Sequence, residues 1–212
     1  MNSKTQHTQI AGPAGSLEVQ IDEADSNSTM KGVAIISHPH PLYGGDMNNK
    51  VVQTLAKAFV QSGYRTVRFN FRGVGASSGE YASGIGETDD LLAVIQEYAP
   101  NGNICLGGFS FGTFTVTHAL QTLAGSRDLE TDVQRLALIG AAAGKFALAP
   151  IAPELHNRTF VLHAEADDTV PLSAVMDWAR PQSLPVTVVP AGSHFFHGQL
   201  PLLKNLVLRH LA

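Results

Sequence analysis

Gly108, Ser110 and Gly112 form the pattern G-x-S-x-G, and the residues around them restrict the fold more than any other stretch. The apolar run 103–107 before the pattern is typical of a short buried strand, and residues 113–123 after it are typical of a helix. A sharp strand-to-helix turn strains the serine backbone, and side chains two positions away would hold strand and helix apart. The pattern therefore predicts a turn that exposes the Ser110 hydroxyl at the end of a strand.

Buried strands and amphipathic helices alternate along the rest of the chain. Further strands are predicted at residues 17–21, 32–37, 66–71, 134–140, 158–163 and 185–189. Further helices are predicted at residues 49–61, 87–98, 172–179 and 200–211. This alternation predicts an α/β fold, a three-layer α/β/α sandwich around a mostly parallel sheet of about seven or eight strands. Residues 1–212 are expected to form one domain that an antiparallel hairpin opens, with about the first 14 residues flexible.

Composition narrows the class of partner. Fourteen basic and 18 acidic residues give a net charge of −4, evenly spread, so no nucleic-acid surface is expected. No stretch has the apolar length of a membrane span or a secretory leader, so we expect no membrane contact and a cytoplasmic location. The single cysteine, Cys105, cannot form an internal disulfide, and its position within a strand favours burial over reactivity.

The Ser110 hydroxyl needs two partners before it can act as a nucleophile. A histidine must accept its proton, and a carboxylate must fix the tautomer of that histidine and stabilise its cationic form. Histidines and carboxylates occur in segments 163–171 and 190–196, which follow the last two predicted strands. Because parallel strands end at one edge of a sheet, both segments are expected to open beside Ser110.

These segments together resemble the α/β-hydrolase superfamily. The ordered set is G-F-S-F-G at 108–112, H-A-E-A-D-D-T-V-P at 163–171 and G-S-H-F-F at 192–196, in the order of that fold. The tracts at 38–45 and 70–77 are similar to those of small bacterial hydrolases near the dienelactone-hydrolase-like and esterase branch. The resemblance covers nearly the whole chain from about Leu17 onward.

The resemblance implies a catalytic set in which Ser110 is the nucleophile, Asp167 the acid and His194 the base. The Val-Pro pair at 170–171 fixes the register that assigns the acid to Asp167, although Ala164 stands where the family usually has glycine. Asp168 is the alternative acid, and we expect it to be a solvated turn residue instead.

The resemblance also implies an oxyanion hole made by the backbone N–H groups of Phe111 and His40. His40 lies between two prolines, which have no N–H, and its own N–H is the nearest donor in that loop. Residues 141–157 occupy the position of the family's helical lid and are short, so we expect no substantial lid. The open pocket that follows is expected to be lined by Tyr43, Phe111, Phe146, Phe195 and Phe196.

No cofactor and no metal are expected. The glycines in segment 73–79 follow a strand, but they lack the spacing of a dinucleotide-binding turn and do not open a helix. His194 and His197 are three positions apart, but no further residue with metal-ligand spacing joins them. Arg72, Asp89 and Asp90 are interpreted as structural residues, the two carboxylates favouring the start of a helix.

The sequence favours a serine hydrolase, specifically a carboxylesterase-like enzyme for small or short-chain acyl esters that acts through an acyl-serine intermediate. The same residues would serve a lactone, thioester or peptide hydrolase. The alternative from another class is a catalytically silent binding module, which competent residues at all three positions disfavour. Neither the natural substrate nor the oligomeric state is predicted.

Overall fold

In the computed structural model, which describes residues 5–24, 29–100, 102–125 and 132–212, an eight-stranded sheet forms the central layer. The strands are β1 (Gln6–Gly12), β2 (Gly15–Asp22), β3 (Gly32–Ser37), β4 (Tyr64–Phe69), β5 (Asn103–Phe109), β6 (Asp132–Ile139), β7 (Thr159–Ala164) and β8 (Val186–Val189). They lie in the order β1-β2-β4-β3-β5-β6-β7-β8. The first two pairs in this order are antiparallel and the other five are parallel, so the predicted mostly parallel sheet is confirmed.

Helices cover both faces of the sheet. They are α1 (Lys50–Gln61), α2 (Ile85–Tyr98), α3 (Phe111–Gly125), α4 (Leu172–Ala179) and α5 (Leu200–Leu211). Apolar residues of α1 and α5 pack in one buried cluster, and those of α2, α3 and α4 pack in the other. Ile35 and Ile36 of the central strand β3 enter opposite clusters, as a strand covered on both faces must. The predicted three-layer α/β/α sandwich is confirmed.

The start of the chain differs from the prediction of a flexible segment. Gln6–Gly12 pairs with β2 along its whole length and forms the edge strand of the predicted hairpin. Ile10 is its one buried residue, so this strand lacks the alternation that reveals a half-buried strand in a sequence. Backbone hydrogen bonds to β2 hold it in place instead. Residues 1–4 of the predicted flexible segment lie outside the described residues.

The connection between β6 and β7 leaves the carboxyl edge of the sheet open. Residues 140–158 contain an isolated bridge between Ala143 and Phe146 and a short 3-10 helix at Pro153–Arg158, and no α-helix. This is the position where a helical lid would be inserted. The predicted absence of a substantial lid is confirmed.

Candidate active site

Ser110 is the single residue between β5 and α3. The structure extends the strand to Phe109 and begins the helix at Phe111, so the turn is tighter than the sequence predicted. Ser110 has a left-handed backbone with φ of 53°, which is strained for a residue other than glycine. Its N–H donates to the Ile139 carbonyl at 2.9 Å, and its carbonyl accepts the Thr113 N–H at 2.9 Å. One bond to the neighbouring strand β6 and one bond from the first turn of α3 therefore hold the strained turn.

The two glycines of the pattern are required by close packing. A Cβ on Gly108 would lie 2.6 Å from the Gly112 carbonyl oxygen, and a Cβ on Gly112 would overlap the Ser37 carbonyl. Both contacts are with backbone atoms, which cannot turn aside as a flexible side chain can. Strand and helix approach closely enough to present the Ser110 hydroxyl only because both residues lack a side chain.

His194 lies in the loop after β8, and its Nε2 is 3.0 Å from Ser110 Oγ. The imidazole is buried, and its ring centroid lies 5.0 Å from that of Phe109 and 5.1 Å from that of Phe195. Phe196, two positions after His194, is fully buried and has φ of 51°. Aromatic packing on the ring and a buried anchor beside it fix the orientation of the imidazole.

Asp167 lies in the loop after β7, and its Oδ2 is 2.7 Å from His194 Nδ1. Its other oxygen accepts the backbone N–H groups of Thr169 at 2.9 Å and Val170 at 2.7 Å. Burial opposes ionisation, but the hydrogen bonds from His194 and Val170 outweigh it, so the pKa of Asp167 is below its usual value. The carboxyl is therefore an anion that accepts the Nδ1–H of His194 and leaves Nε2 free to accept a proton from Ser110.

Asp168, the alternative acid, stands apart from this chain of hydrogen bonds. It is exposed, and its carboxylate accepts only the Thr169 hydroxyl, at 3.3 Å, among the contacts the described residues make. Of the two adjacent carboxylates, the one that the resemblance assigned lies against His194.

The two predicted oxyanion donors both border Ser110, and their role stays a prediction. Phe111 is the first residue of α3, and His40 lines the same cavity as Ser110. His40 Nδ1 accepts the Leu42 N–H at 3.2 Å, which places the proton of the neutral ring on Nε2. Burial lowers the pKa of His40 although the nearby Glu87 carboxylate raises it.

The cavity beside Ser110 has a volume of about 620 Å³. Tyr43, Phe111, Phe146 and Phe195 line it, as the sequence predicted. Phe196 does not line it, so that prediction is wrong: the left-handed turn at this residue directs its side chain into the apolar cluster beneath α5. Aromatic side chains form part of the pocket wall, and of the described residues that line it, Lys145 is the one lysine, arginine or carboxylate residue.

The sequence missed His38, which braces the loop that carries His40. The ring is fully buried, its Nδ1–H donates to the Pro39 carbonyl at 2.6 Å, and its Nε2 accepts the Phe71 N–H at 3.0 Å. Burial lowers the pKa of His38 to about 3. His38 is therefore a neutral link between the ends of β3 and β4, and no local pattern in the sequence indicates such a link.

Asp90 also has a role that the sequence did not indicate. The sequence assigned it to the helix dipole, but it is fully buried and accepts three hydrogen bonds from the Arg72 guanidinium, the shortest at 2.7 Å. Glu87 accepts the N–H groups of Ala82 and Gly84, at 2.8 and 2.7 Å. These carboxylates hold the loop between β4 and α2, which supports the interpretation of Arg72 and Asp90 as structural.

Three further features concern a metal site, a reactive thiol and a membrane-spanning helix. Within the described ranges, no three or more His, Cys, Asp or Glu side chains are grouped as metal ligands would be. His197 is exposed at the edge of the site. Cys105 is buried, and burial raises the pKa of its thiol to about 11, so it is unreactive. No helix in the described part of the chain has the length and apolarity to cross a membrane.

Comparison with known proteins identifies the family. Residues 39–167 match the family described as alpha/beta hydrolase fold. The chain is 32% identical to XC6422 of Xanthomonas campestris, described as an α/β serine hydrolase without a lid, over 100% of this chain and 95% of that one, with a TM-score of 0.85. It is 36% identical to an α/β serine hydrolase homologue of Coxiella burnetii, over 98% of this chain and 97% of that one, with a TM-score of 0.80.

A curated relative matches over a shorter length. An uncharacterized protein of Rickettsia prowazekii (strain Madrid E) is 44% identical over 108 residues, which make up 49% of this chain and 44% of that protein. The match thus spans less than half of the relative. The family match and the two serine hydrolase structures show that this chain belongs to the α/β-hydrolase family, as a member without a lid.

Proposed function

We propose that this protein is a serine hydrolase that cleaves small or short-chain carboxylic esters through an acyl-serine intermediate. The observation that carries the proposal is the continuous path from Ser110 Oγ to His194 Nε2, at 3.0 Å, and from His194 Nδ1 to Asp167, at 2.7 Å. Family membership supports a hydrolase in general, and this path supports the serine mechanism.

Each residue then has a defined step. His194 accepts the proton of Ser110 as Oγ attacks the ester carbonyl, and Asp167 stabilises the imidazolium that forms. The N–H groups of Phe111 and His40 are the proposed donors to the oxygen that becomes negative. His194 next gives the proton to the leaving alcohol, and a water molecule activated by the same histidine hydrolyses the acyl-serine.

The shape of the pocket supports the choice of substrate. A cavity of about 620 Å³ with partly aromatic walls has room for a small acyl group together with its alcohol. The connection between β6 and β7 forms no helical lid that could cover a long acyl chain. We therefore expect preference for short acyl groups over the long chains of triglycerides.

The test is hydrolysis of p-nitrophenyl acetate, butyrate, octanoate and laurate by wild type and by Ser110→Ala. The account predicts the highest kcat/KM for acetate or butyrate and a loss of about 10⁴-fold or more in the variant. Turnover by Ser110→Ala equal to that of wild type would contradict the assignment of Ser110 as the nucleophile. Preference for laurate would contradict the proposed substrate size. If the enzyme hydrolysed lactones or thioesters but none of these esters, the proposed ester substrate would be wrong.

A further inference from the structure

A second histidine, His163, lies against the carboxylate of the candidate site. It belongs to β7, four residues before Asp167, and it is fully buried. Its Nε2 is 2.9 Å from the Val170 carbonyl oxygen and 3.5 Å from Asp167 Oδ2. The proposed mechanism gives this imidazole no step, although it stands beside the oxygen that accepts the Nδ1–H of His194.

The surroundings of His163 determine where its proton lies. A carbonyl oxygen can only accept, so Nε2 carries the hydrogen and donates to Val170. Its Nδ1 is buried and has no hydrogen-bond partner among the described residues. A second proton there would be an unpaired buried donor, and burial accordingly lowers the pKa of His163. The ionisable groups that face the ring are Asp167, which favours its charged form, and His194, which opposes it.

We infer that His163 is a positioning residue that fixes Asp167 for its contact with His194. The Val170 peptide is held on both sides: its N–H donates to Asp167 Oδ1 at 2.7 Å, and its carbonyl accepts His163 Nε2–H. The nitrogen of that N–H also lies 3.5 Å from Asp167 Oδ2, which brings the positive end of its dipole close to the carboxylate. His163 thereby holds the turn that carries the acid and stabilises the charge of that acid. The inference rests on the proposed function, because its effect is exerted through His194.

Removal of the His163 Nε2–H has two consequences. Loss of packing alone would not produce both. The carboxylate turn loses one constraint, so the Asp167–His194 geometry loosens and kcat falls. The carboxylate also loses a neighbouring dipole that partly neutralises it, so its field at His194 becomes more negative. Because the looser contact and the lost dipole both change the field of the carboxylate at His194, the acid limb of the pH profile of kcat/KM moves.

Three variants separate the donor from the bulk of the side chain. His163→Gln keeps an N–H donor near the position of Nε2, whereas His163→Asn keeps one only near the position of Nδ1. His163→Leu has no donor. The inference predicts that Leu and Asn lower kcat on p-nitrophenyl acetate about 10- to 100-fold with KM little changed, and move the acid limb. The Gln variant should stay within about threefold of wild type, with the limb in place, because its amide N–H can replace the imidazole donor.

Two results would overturn the inference. The first is wild-type kcat and an unmoved acid limb in the Leu and Asn variants. The second is an equal loss in all three variants, because the side chain would then act through packing alone. Thermal unfolding of each variant is measured alongside, and if the Leu variant does not fold, the contrast between Gln and Asn decides the matter.

A spectroscopic readout keeps this test separate from the proposed function. The short hydrogen bond between His194 Nδ1 and Asp167 should give a far-downfield proton resonance in wild type, with no substrate present. The inference predicts that His163→Leu and His163→Asn shift or broaden it and that His163→Gln preserves it. An unchanged resonance in all three would overturn the inference. Absence of turnover and of serine labelling in wild type would instead overturn the proposed function.

Discussion

Ser110 Oγ lies 3.0 Å from His194 Nε2, although the two residues are 84 positions apart in the chain. The turn between β5 and α3 supplies the hydroxyl, and the loop after β8 supplies the imidazole. The parallel sheet ends both strands at the same edge, and β6 and β7 lie between them. The contact therefore depends on the whole sheet, and its chemistry depends on the carboxylate behind the histidine.

Asp167→Asn should lower kcat on p-nitrophenyl acetate by about 10⁴-fold, because an amide cannot hold His194 in the required tautomer or stabilise its cation. Asp168→Asn is the matched control and should remain within about twofold of wild type, since Asp168 is exposed and its carboxylate accepts, among the described residues, a hydrogen bond only from Thr169. Equal losses, or a larger loss at Asp168, would show that the acid is assigned to the wrong residue.

Hydrolysis should rise from acid to neutral pH through a single protonation, because only an unprotonated His194 can accept the proton of Ser110. EDTA should leave this profile unchanged, since no step uses a metal. A metal-bound hydroxide could give a similar rise, so the profile is recorded with and without the chelator. Activity lost in EDTA and restored by added divalent metal would favour a site built on His194 and His197.

Stability should fall in acid because His38 is buried in its neutral form. The unfolded chain binds a proton at this residue below about pH 6.5, whereas the folded protein does so only at about pH 3. Between these values the unfolded state holds more protons than the folded state. The free energy of unfolding therefore falls by about 1.4 kcal/mol for each unit by which the pH decreases. His163 and His210, whose pKa values burial also lowers, act in the same direction.

Urea unfolding at several pH values between 4.5 and 6.5 measures this slope. His38→Gln keeps an acceptor for the Phe71 N–H but cannot titrate. The slope of its free energy of unfolding against pH should therefore be shallower by the contribution of about one proton. His7→Gln, at an exposed position on β1, is the control and should keep the wild-type slope. A His38→Gln slope equal to that of wild type would mean that His38 does not carry the acid sensitivity.

Gly112→Ala should destabilise the protein by at least about 1–3 kcal/mol, because the new methyl group would overlap the Ser37 carbonyl. Gly125→Ala, at the other end of the same helix, is the matched control. In the part of the chain that the structure describes, a Cβ there meets no atom within 4 Å outside its own helix, so this change should be neutral or stabilise by about 0.5–1 kcal/mol. Thermal unfolding compares the two, and equal stabilities would contradict the close approach of strand and helix.

The sequence predicted the parts of the fold that local patterns determine. Apolar runs revealed the buried strands, and α4 and α5 begin and end at the predicted residues. It predicted an opening hairpin but did not assign β1 as its first strand, because an edge strand exposed on most of its length has no such pattern. For the site, the glycines around Ser110 indicated the turn from physical requirements, whereas the assignment of Asp167 and His194 needed the family resemblance.

The supporting residues could not be predicted, because their roles arise from contacts between distant segments. His38 meets the Phe71 N–H 33 positions away, and Asp90 pairs with Arg72 across 18. His163 was part of the quoted motif, but its contact with Val170 depends on how the loop after β7 folds back. The sequence predicts Phe195 and Phe196 together in the pocket, and the left-handed backbone at Phe196, which no local pattern indicates, directs the two rings to different places.

The central claim is that Ser110 is an activated nucleophile, and labelling by a fluorophosphonate measures this most directly, with no assumption about the substrate. Wild type and Ser110→Ala are incubated with the probe, and the intact mass and the modified peptide are read by mass spectrometry. The account predicts one adduct per chain in wild type, located on Ser110, and none in the variant. Unlabelled wild type, or an adduct that persists in the variant, would contradict it.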